Sequence, residues 1–244
     1  MAPEASAVVM SYNIRGSSAL RRSAHLVEIA DVIQKSTADI VGLQEVHRSG
    51  TARGHQDQAA DLARLTGMTP LFGQSFEHGR GDFGNLLLTR QPASLTAIHR
   101  LPGRGEPRTL LEARVDLSGS TLRVFVVHLA AWWPLGRANR LAQTAAVAGF
   151  VSSAEGPFVL LGDFNTTPGS RELRQFHSGR LVTSCFPDRS ATHRTSRRCL
   201  DYIFVHPGMA VESASVLRTG PSDHWPLLAK LRWDHAPIAE ISAR

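Results

Sequence analysis

Six places in this 244-residue chain put an acid, an amide or an imidazole where a run of apolar residues begins or ends. Val8-Val9-Met10 leads into Asn13, and Ile40-Val41-Gly42-Leu43 leads into Gln44-Glu45. Val124-Phe125-Val126-Val127 ends on His128, and Phe158-Val159-Leu160-Leu161-Gly162 ends on Asp163-Phe164-Asn165. Asp201 opens the run Tyr202-Ile203-Phe204-Val205, and Ser222-Asp223-His224 precedes the last apolar stretch. Each has an ordinary explanation when taken alone. Asn13 suits a turn, Glu45 a solvated loop, Asp163 and Asn165 the cap of a short helix from Gly169 to Phe176, and the two histidines ordinary hydrogen bonding. Together these explanations weaken, because sites assemble at strand ends and carboxylates gathered at one edge repel one another unless a cation joins them. Oxygen donors from Glu45, Asp163, Asn165 and Asp223 suit a hard ion, magnesium or manganese, better than zinc, which prefers nitrogen and sulfur. Such an ion keeps several waters and binds through a few carboxylates plus substrate phosphate, so the chemistry expected of this set is phosphate-ester hydrolysis.

The elements that must position these residues are short. β-type runs occur at Ala7–Tyr12, Ile40–Leu43, Asn85–Thr89, Thr109–Val115, Leu122–Val127, Phe158–Leu161, Leu200–Val205 and Leu227–Leu231, giving at least eight strands. Helical periodicity covers Ala19–Lys35, Gln56–Thr66 and Arg137–Phe150. The connection from Thr109–Val115 to Leu122–Val127 is too short for a crossover helix and reads as a hairpin, so the sheet cannot be all parallel. An α+β fold of packed sheets with helices outside fits better than a doubly wound nucleotide fold, because no glycine-rich turn follows the first strand.

Composition bounds the answer further. With no repeat and no long linker, one domain over residues 1–244 is expected. Two cysteines are too few for a disulfide scaffold and lack zinc-site spacing. No run reaches the roughly 18 apolar residues of a membrane span, and Met1–Ser6 shows no basic region followed by an apolar run, which favours a cytoplasmic location. The net charge of +6 rests on 25 Arg and 2 Lys, and arginine grips phosphate bidentately, although an arginine-biased genome accounts for the same numbers.

Seven motifs, in order, carry a resemblance: Ser11-Tyr12-Asn13-Ile14, Leu43-Gln44-Glu45-Val46, Gly84-Asn85-Leu86-Leu87-Leu88-Thr89-Arg90, Val127-His128-Leu129, Gly162-Asp163-Phe164-Asn165, Leu200-Asp201-Tyr202-Ile203 and Ser222-Asp223-His224. Across nearly its whole length the chain resembles the endonuclease/exonuclease/phosphatase (DNase I-like) superfamily. That resemblance implies a four-layered α/β sandwich, two mixed sheets face to face between helices. It also implies roles: Glu45 as principal metal carboxylate, with Asn13 near it and Asp223 completing the site. Asp163 would orient or deprotonate the attacking water, and Asn165 would hold that water or a phosphate oxygen. His224 would contact the scissile phosphate with Asp201 behind it, and His128 would be a second donor.

Substrate choice is less legible, because one fold hosts many substrates. Asn85, Arg108 and the pair Trp132-Trp133 are the substrate-side candidates. Arg108 reads as a phosphate clamp or a rim ion pair. The two indoles could stack a base, dip into lipid, or pack under a loop. The run His193-Arg194-Thr195-Ser196-Arg197-Arg198 suits a polyanion or a solvated loop, and Cys185 and Cys199, which bracket it, read as reduced thiols in preference to a disulfide. The favoured function is a magnesium- or manganese-dependent phosphodiesterase acting on nucleic acid, with no obligate protein partner and a monomeric state expected. A lipid or small-molecule phosphodiesterase of sphingomyelinase type, a phosphatase, and a catalytically silent binding module are the alternatives.

Overall fold

The computed structural model describes residues 4–16, 23–49, 57–78, 81–117, 119–131, 135–178, 181–186 and 190–234. Twelve strands and four helices follow in the order β1 (Glu4–Asn13), α1 (Ser23–Ser36), β2 (Ile40–Ser49), α2 (Gln58–Thr66), β3 (Thr69–His78), β4 (Gly81–Thr89), β5 (Ala93–Arg100), β6 (Thr109–Leu117) and β7 (Ser120–His128). The order continues with α3 (Gly136–Ser152), β8 (Phe158–Asp163), α4 (Arg171–Ser178), β9 (Thr183–Ser184), β10 (Asp201–Val205), β11 (Ala210–Val216) and β12 (Leu227–Asp234).

Two six-stranded mixed sheets result, one ordered β11-β12-β1-β2-β4-β3 and the other β5-β6-β7-β8-β10-β9. Each contains one parallel pair joined through a helix, β1 with β2 through α1 and β7 with β8 through α3. The expected hairpin is present, with β6 and β7 antiparallel and Leu117 opposite Ser120.

The central strands read as unbroken apolar runs because both their faces are buried. Along β8, Val159 and Leu161 point into the seam between the sheets, whereas Phe158 and Leu160 pack outward with Val147, Val151 and Phe176 of α3 and α4. Along β1, Val9 faces the seam while Met10 and Tyr12 join Leu26, Ile29 and Leu62 of α1 and α2. The layers are therefore helices, sheet, sheet, helices. Burial of each such side chain contributes about 1.5–3 kcal/mol. Gly42 lets the sheets approach closely: a Cβ there would stand 2.9 Å from Leu161 Cδ1 and 3.1 Å from Val126 Cγ2.

Asp57 caps α2 by accepting from Ala60 N–H at 2.9 Å, which sets the helix start two residues inside the sequence reading. Cys185 belongs to the seam and Cys199 to the outer cluster beneath α3 and α4, so the two are separate free thiols on opposite faces of their sheet. No helix among the described residues is long and apolar enough to cross a membrane.

Candidate active site

Strand register assembles the site before any side-chain preference acts. In the second sheet, His128 at the end of β7 is paired with Asp163 at the end of β8, and Asp163 is paired with Asp201 at the start of β10. In the first sheet, Asn13 at the end of β1 is paired with Gln44 of β2. Glu45 follows, at a register shift between Leu43 and Val46 where β2 bulges against β4. Its φ of 60° lies in the left-handed region, a strained state for a non-glycine residue that turns the side chain out of the strand's alternation. Gly16 secures that turn, because its N–H donates to Glu45 O at 3.0 Å and a Cβ on it would stand 2.1 Å from the same oxygen. The last loop is tied in by Ser222, whose hydroxyl donates to Asn13 O at 2.7 Å.

The two sheets meet through Asn13. Its Nδ2 donates to Glu45 Oε1 at 3.1 Å and to Asp163 Oδ2 at 3.0 Å, while its Oδ1 accepts from Arg15 N–H at 2.9 Å. Two carboxylates need donors and an amide N–H needs an acceptor, so the orientation follows from the partners. Asn13, expected beside the metal carboxylate, thus offers that space an N–H pair instead of an oxygen. Asp163 Oδ1 accepts from Asn165 N–H at 2.8 Å, and Asn165, also left-handed at φ 51°, donates from Nδ2 to Leu129 O at 3.0 Å. Asp223 sits at the rim, 3.1 Å from Arg15 Nη1.

Two imidazoles flank Asp163 Oδ2, His128 Nε2 at 3.6 Å and His224 Nε2 at 3.8 Å. His224 Nδ1 donates to Asp201 Oδ2 at 2.8 Å, and that oxygen also receives the Thr192 hydroxyl at 2.5 Å. Burial by itself would lower the His224 pKa, but the charges of Asp201 and Asp163 overcome it and raise the value to about 10, so the ring is an imidazolium at neutral pH. Burial acts on Asp163 in the opposite sense; with the Asp201 charge it raises that carboxyl to about 7, against the opposing pull of His224. His128 is held well below its ordinary 6.5 by burial first and then by the charges of Arg108 and His224. Arg108 Nη1 donates to His128 Nδ1 at 2.7 Å, so the neutral ring carries its proton on Nε2, facing Asp163.

These groups line one cleft of about 430 Å³. Glu45, Arg108, His128, Asp163, Asn165 and His224 all contribute to its wall, whereas Asn13, Asp201 and Asp223 support it from behind or beside. Asn85 is not on that wall. It is buried between the sheets, where its amide donates to Thr109 O at 3.0 Å and Val126 O at 3.4 Å, and so it is placed as an inter-sheet tie instead of a substrate contact. Arg108 combines the two readings given above: it lines the cleft, yet its terminal nitrogens are engaged by His128 and, at 2.6 Å, by Glu106. Trp132 and Trp133 lie outside the described residues.

Several wall residues were not singled out from sequence. Phe76 of β3 and Phe83 of β4 form an aromatic end, their centroids 5.1 Å apart. Their signal was hidden because β3, with Pro70 and Gly73, does not read as a strand. His193, Ser196 and Arg198 also line the cleft; in the sequence they read only as part of a basic run near Asp201. Thr192 carries no sequence signal at all.

A divalent cation fits this donor set. The cleft gathers the carboxylates Glu45 and Asp163 around one amide, with Asp201 behind, and a positive guest would oppose the burial and the Asp201 charge that raise Asp163.

The chain is similar to known proteins in sequence and in fold. The Escherichia coli K12 chain called uncharacterized protein YbhP is 29% identical over 254 residues, covering 96% of this chain and 95% of that one. A Beutenbergia cavernae endonuclease/exonuclease/phosphatase structure superposes with a TM-score of 0.80 at 25% identity, over 96% of this chain and 73% of that one. The human Nocturnin catalytic domain, solved with bound sulfate, gives 0.73 at 26% identity over 93% of each chain. The model of the Endonuclease/Exonuclease/phosphatase family matches residues 10–224, from the strand bearing Asn13 to the histidine held by Asp201. The chain therefore belongs to the Endonuclease/Exonuclease/phosphatase family, whose members hydrolyse phosphoric esters and generally use divalent metals.

Proposed function

We propose that this protein is a magnesium- or manganese-dependent phosphodiesterase acting on nucleic acid. The observation that carries the reading is the junction at Asn13, where Glu45 and Asp163 from different sheets meet beside a charged and a neutral imidazole. Glu45, with Asp223 completing the site, would hold the ion, which when bound supplies charge stabilisation to the phosphoryl oxygens. The chain's own residues do the rest. Asp163, which faces both imidazoles, accepts the proton of the attacking water. The imidazolium of His224, fixed by Asp201 and Thr192, gives a charge-assisted hydrogen bond to the phosphate. His128, locked as the Nε2–H tautomer by Arg108, donates from the other side as the P–O bond to the leaving group breaks.

The nucleic-acid part of the reading is supported by the lining of the cleft and by the charge. Phe76 and Phe83 give the wall aromatic surface, and Arg198 lines the same cleft in a chain of net charge +6. The test is hydrolysis of bis-p-nitrophenyl phosphate and nicking of supercoiled plasmid, each with magnesium or manganese and each repeated with chelator. Expected are activities abolished by chelation, and losses of about 100-fold in Glu45→Ala, Asp163→Ala and His224→Ala. Choline release from sphingomyelin without nicking would transfer the assignment to lipid, and wild-type activity in all three variants would end it.

A further inference from the structure

Three imidazoles face the cleft, and the third lies outside the motifs that carry the family resemblance. His193 sits in the segment running from residue 190 to β10 and lines the cleft together with Ser196 and Leu200. Ser196 N–H donates to His193 Nδ1 at 3.1 Å, so the ring's one neutral-state proton is on Nε2. Nε2 stands 3.9 Å from Asp223 Oδ2, beyond hydrogen-bonding distance. The donor atoms of His193, Asp223 and His224 come within 4.8 Å of one another, but a ring that accepts at Nδ1 and is protonated at Nε2 has no lone pair for a cation. It is built to donate.

It is also held in place. His193 forms an isolated antiparallel bridge with His224, and the rings pack edge to face with centroids 4.7 Å apart. On one side of it, Trp225 N–H donates to Thr192 O at 2.7 Å; on the other, Arg194 N–H donates to Asp223 O at 2.8 Å. The Thr192 hydroxyl holds Asp201, which holds His224. One segment thus fixes the position of His193 and supports the charged imidazole beside it, the preorganisation that donors to a phosphate require.

We propose that His193 is a further catalytic residue, whose Nε2–H donates to a non-bridging oxygen of the substrate phosphate on the Asp223 side of the cleft. The assignment deepens the phosphodiesterase reading and rests on it for the nature of the acceptor. It is tested by comparing the wild type with His193→Ala and His193→Gln on methyl p-nitrophenyl phosphate and on the two enantiomers, Rp and Sp, of its phosphorothioate, with magnesium. His193→Ala should lower kcat by about 10- to 100-fold while changing KM little. His193→Gln, which retains an N–H, should recover part of that, and for one enantiomer the loss should shrink because sulfur replaces the accepting oxygen. A kcat within twofold of wild type, or a loss equal for both enantiomers and the parent ester, would overturn the assignment. In parallel, inorganic phosphate and magnesium are titrated into wild-type protein carrying 15N-labelled histidine. A shift of His193 Nε2 without turnover of any ester would sustain His193 as a phosphate donor and sink the phosphodiesterase reading. Turnover without that shift would do the reverse.

Discussion

Arg108 and His128 show how one contact sets a residue's chemistry. A histidine at the end of an apolar strand could serve as acid, base or donor, and the sequence leaves the choice open. The guanidinium on Nδ1 closes it, since an arginine can only donate and its charge opposes protonation of the ring. His128 is a neutral donor. Replacing Arg108 by Met removes the positive neighbour and leaves burial in place, so the pKa of His128 should move upward toward 6.5 in a proton NMR titration, and kcat should fall with the lost tautomer control. A His128 titration unchanged by the substitution would show that burial alone sets it. His224 is the opposite case at the same scale, two carboxylates outweighing the same burial.

At the scale of elements, α3 braces the segment that leaves His128. Arg140 donates from Nη1 to Ala130 O at 3.0 Å and Ala131 O at 3.2 Å, and Gln143 Oε1 accepts from Ala130 N–H at 2.9 Å. Arg140 Nη2 lies 3.5 Å from Glu172 Oε1 of α4, both side chains almost wholly buried. Removing one partner of a buried pair strands the other charge at a cost of about 3–5 kcal/mol. Urea denaturation of Arg140→Met should show a loss of that order, and Arg140→Met combined with Glu172→Leu should be more stable than Arg140→Met alone. If the double substitution is the less stable of the two, the ion pair is not what the single substitution breaks. Recovery should be incomplete, because Ala130 O and Ala131 O still lose their donor.

For the whole molecule, the cleft lies on the seam where two sheets meet, so its charge bears on the stability of the entire fold. Asp163 has its folded pKa raised from 3.8 to about 7, so its contribution is fully present below 3.8 and is lost as pH rises through about 7. His224, raised from 6.5 to about 10, contributes below 6.5 and loses that contribution as pH rises through about 10. Both terms make the ion-free protein less stable at alkaline pH. A divalent cation favours ionised Asp163 and stabilises the native state by mass action. Magnesium should therefore raise Tm more at pH 8 than at pH 5, read by calorimetry; a magnesium shift independent of pH would mean that the ion binds away from Asp163.

Eight strands were legible from the sequence and four were not, and the division has a physical cause. The eight correspond to β1, β2, β4, β6, β7, β8, β10 and β12, all interior to their sheets; burial on both faces imposes apolar runs on strands such as β4, β8 and β10, and β12 keeps an alternating pattern. The four missed, β3, β5, β9 and β11, are the sheet edges. β5 and β11 bury little, with Leu95 and Ile98 exposed on β5, so selection for an alternating pattern is weak there. The same distinction runs through the site. Asn13, His128, Asp163 and Asp201 stand where interior strands begin or end, Glu45 at a bulge within β2 and His224 just before β12; an apolar run breaks at each, and a linear pattern suffices to find such positions. What the tertiary structure alone decided is which atoms meet: that Asn13 bridges two carboxylates across the sheets, that Asn85 ties the sheets together away from the cleft, that Arg108 faces a ring nitrogen, and that His193 and Phe76 share one wall. Those contacts join residues up to 150 positions apart, and their geometry is fixed by register, by a bulge and by packing between layers, none of which has a period along the chain.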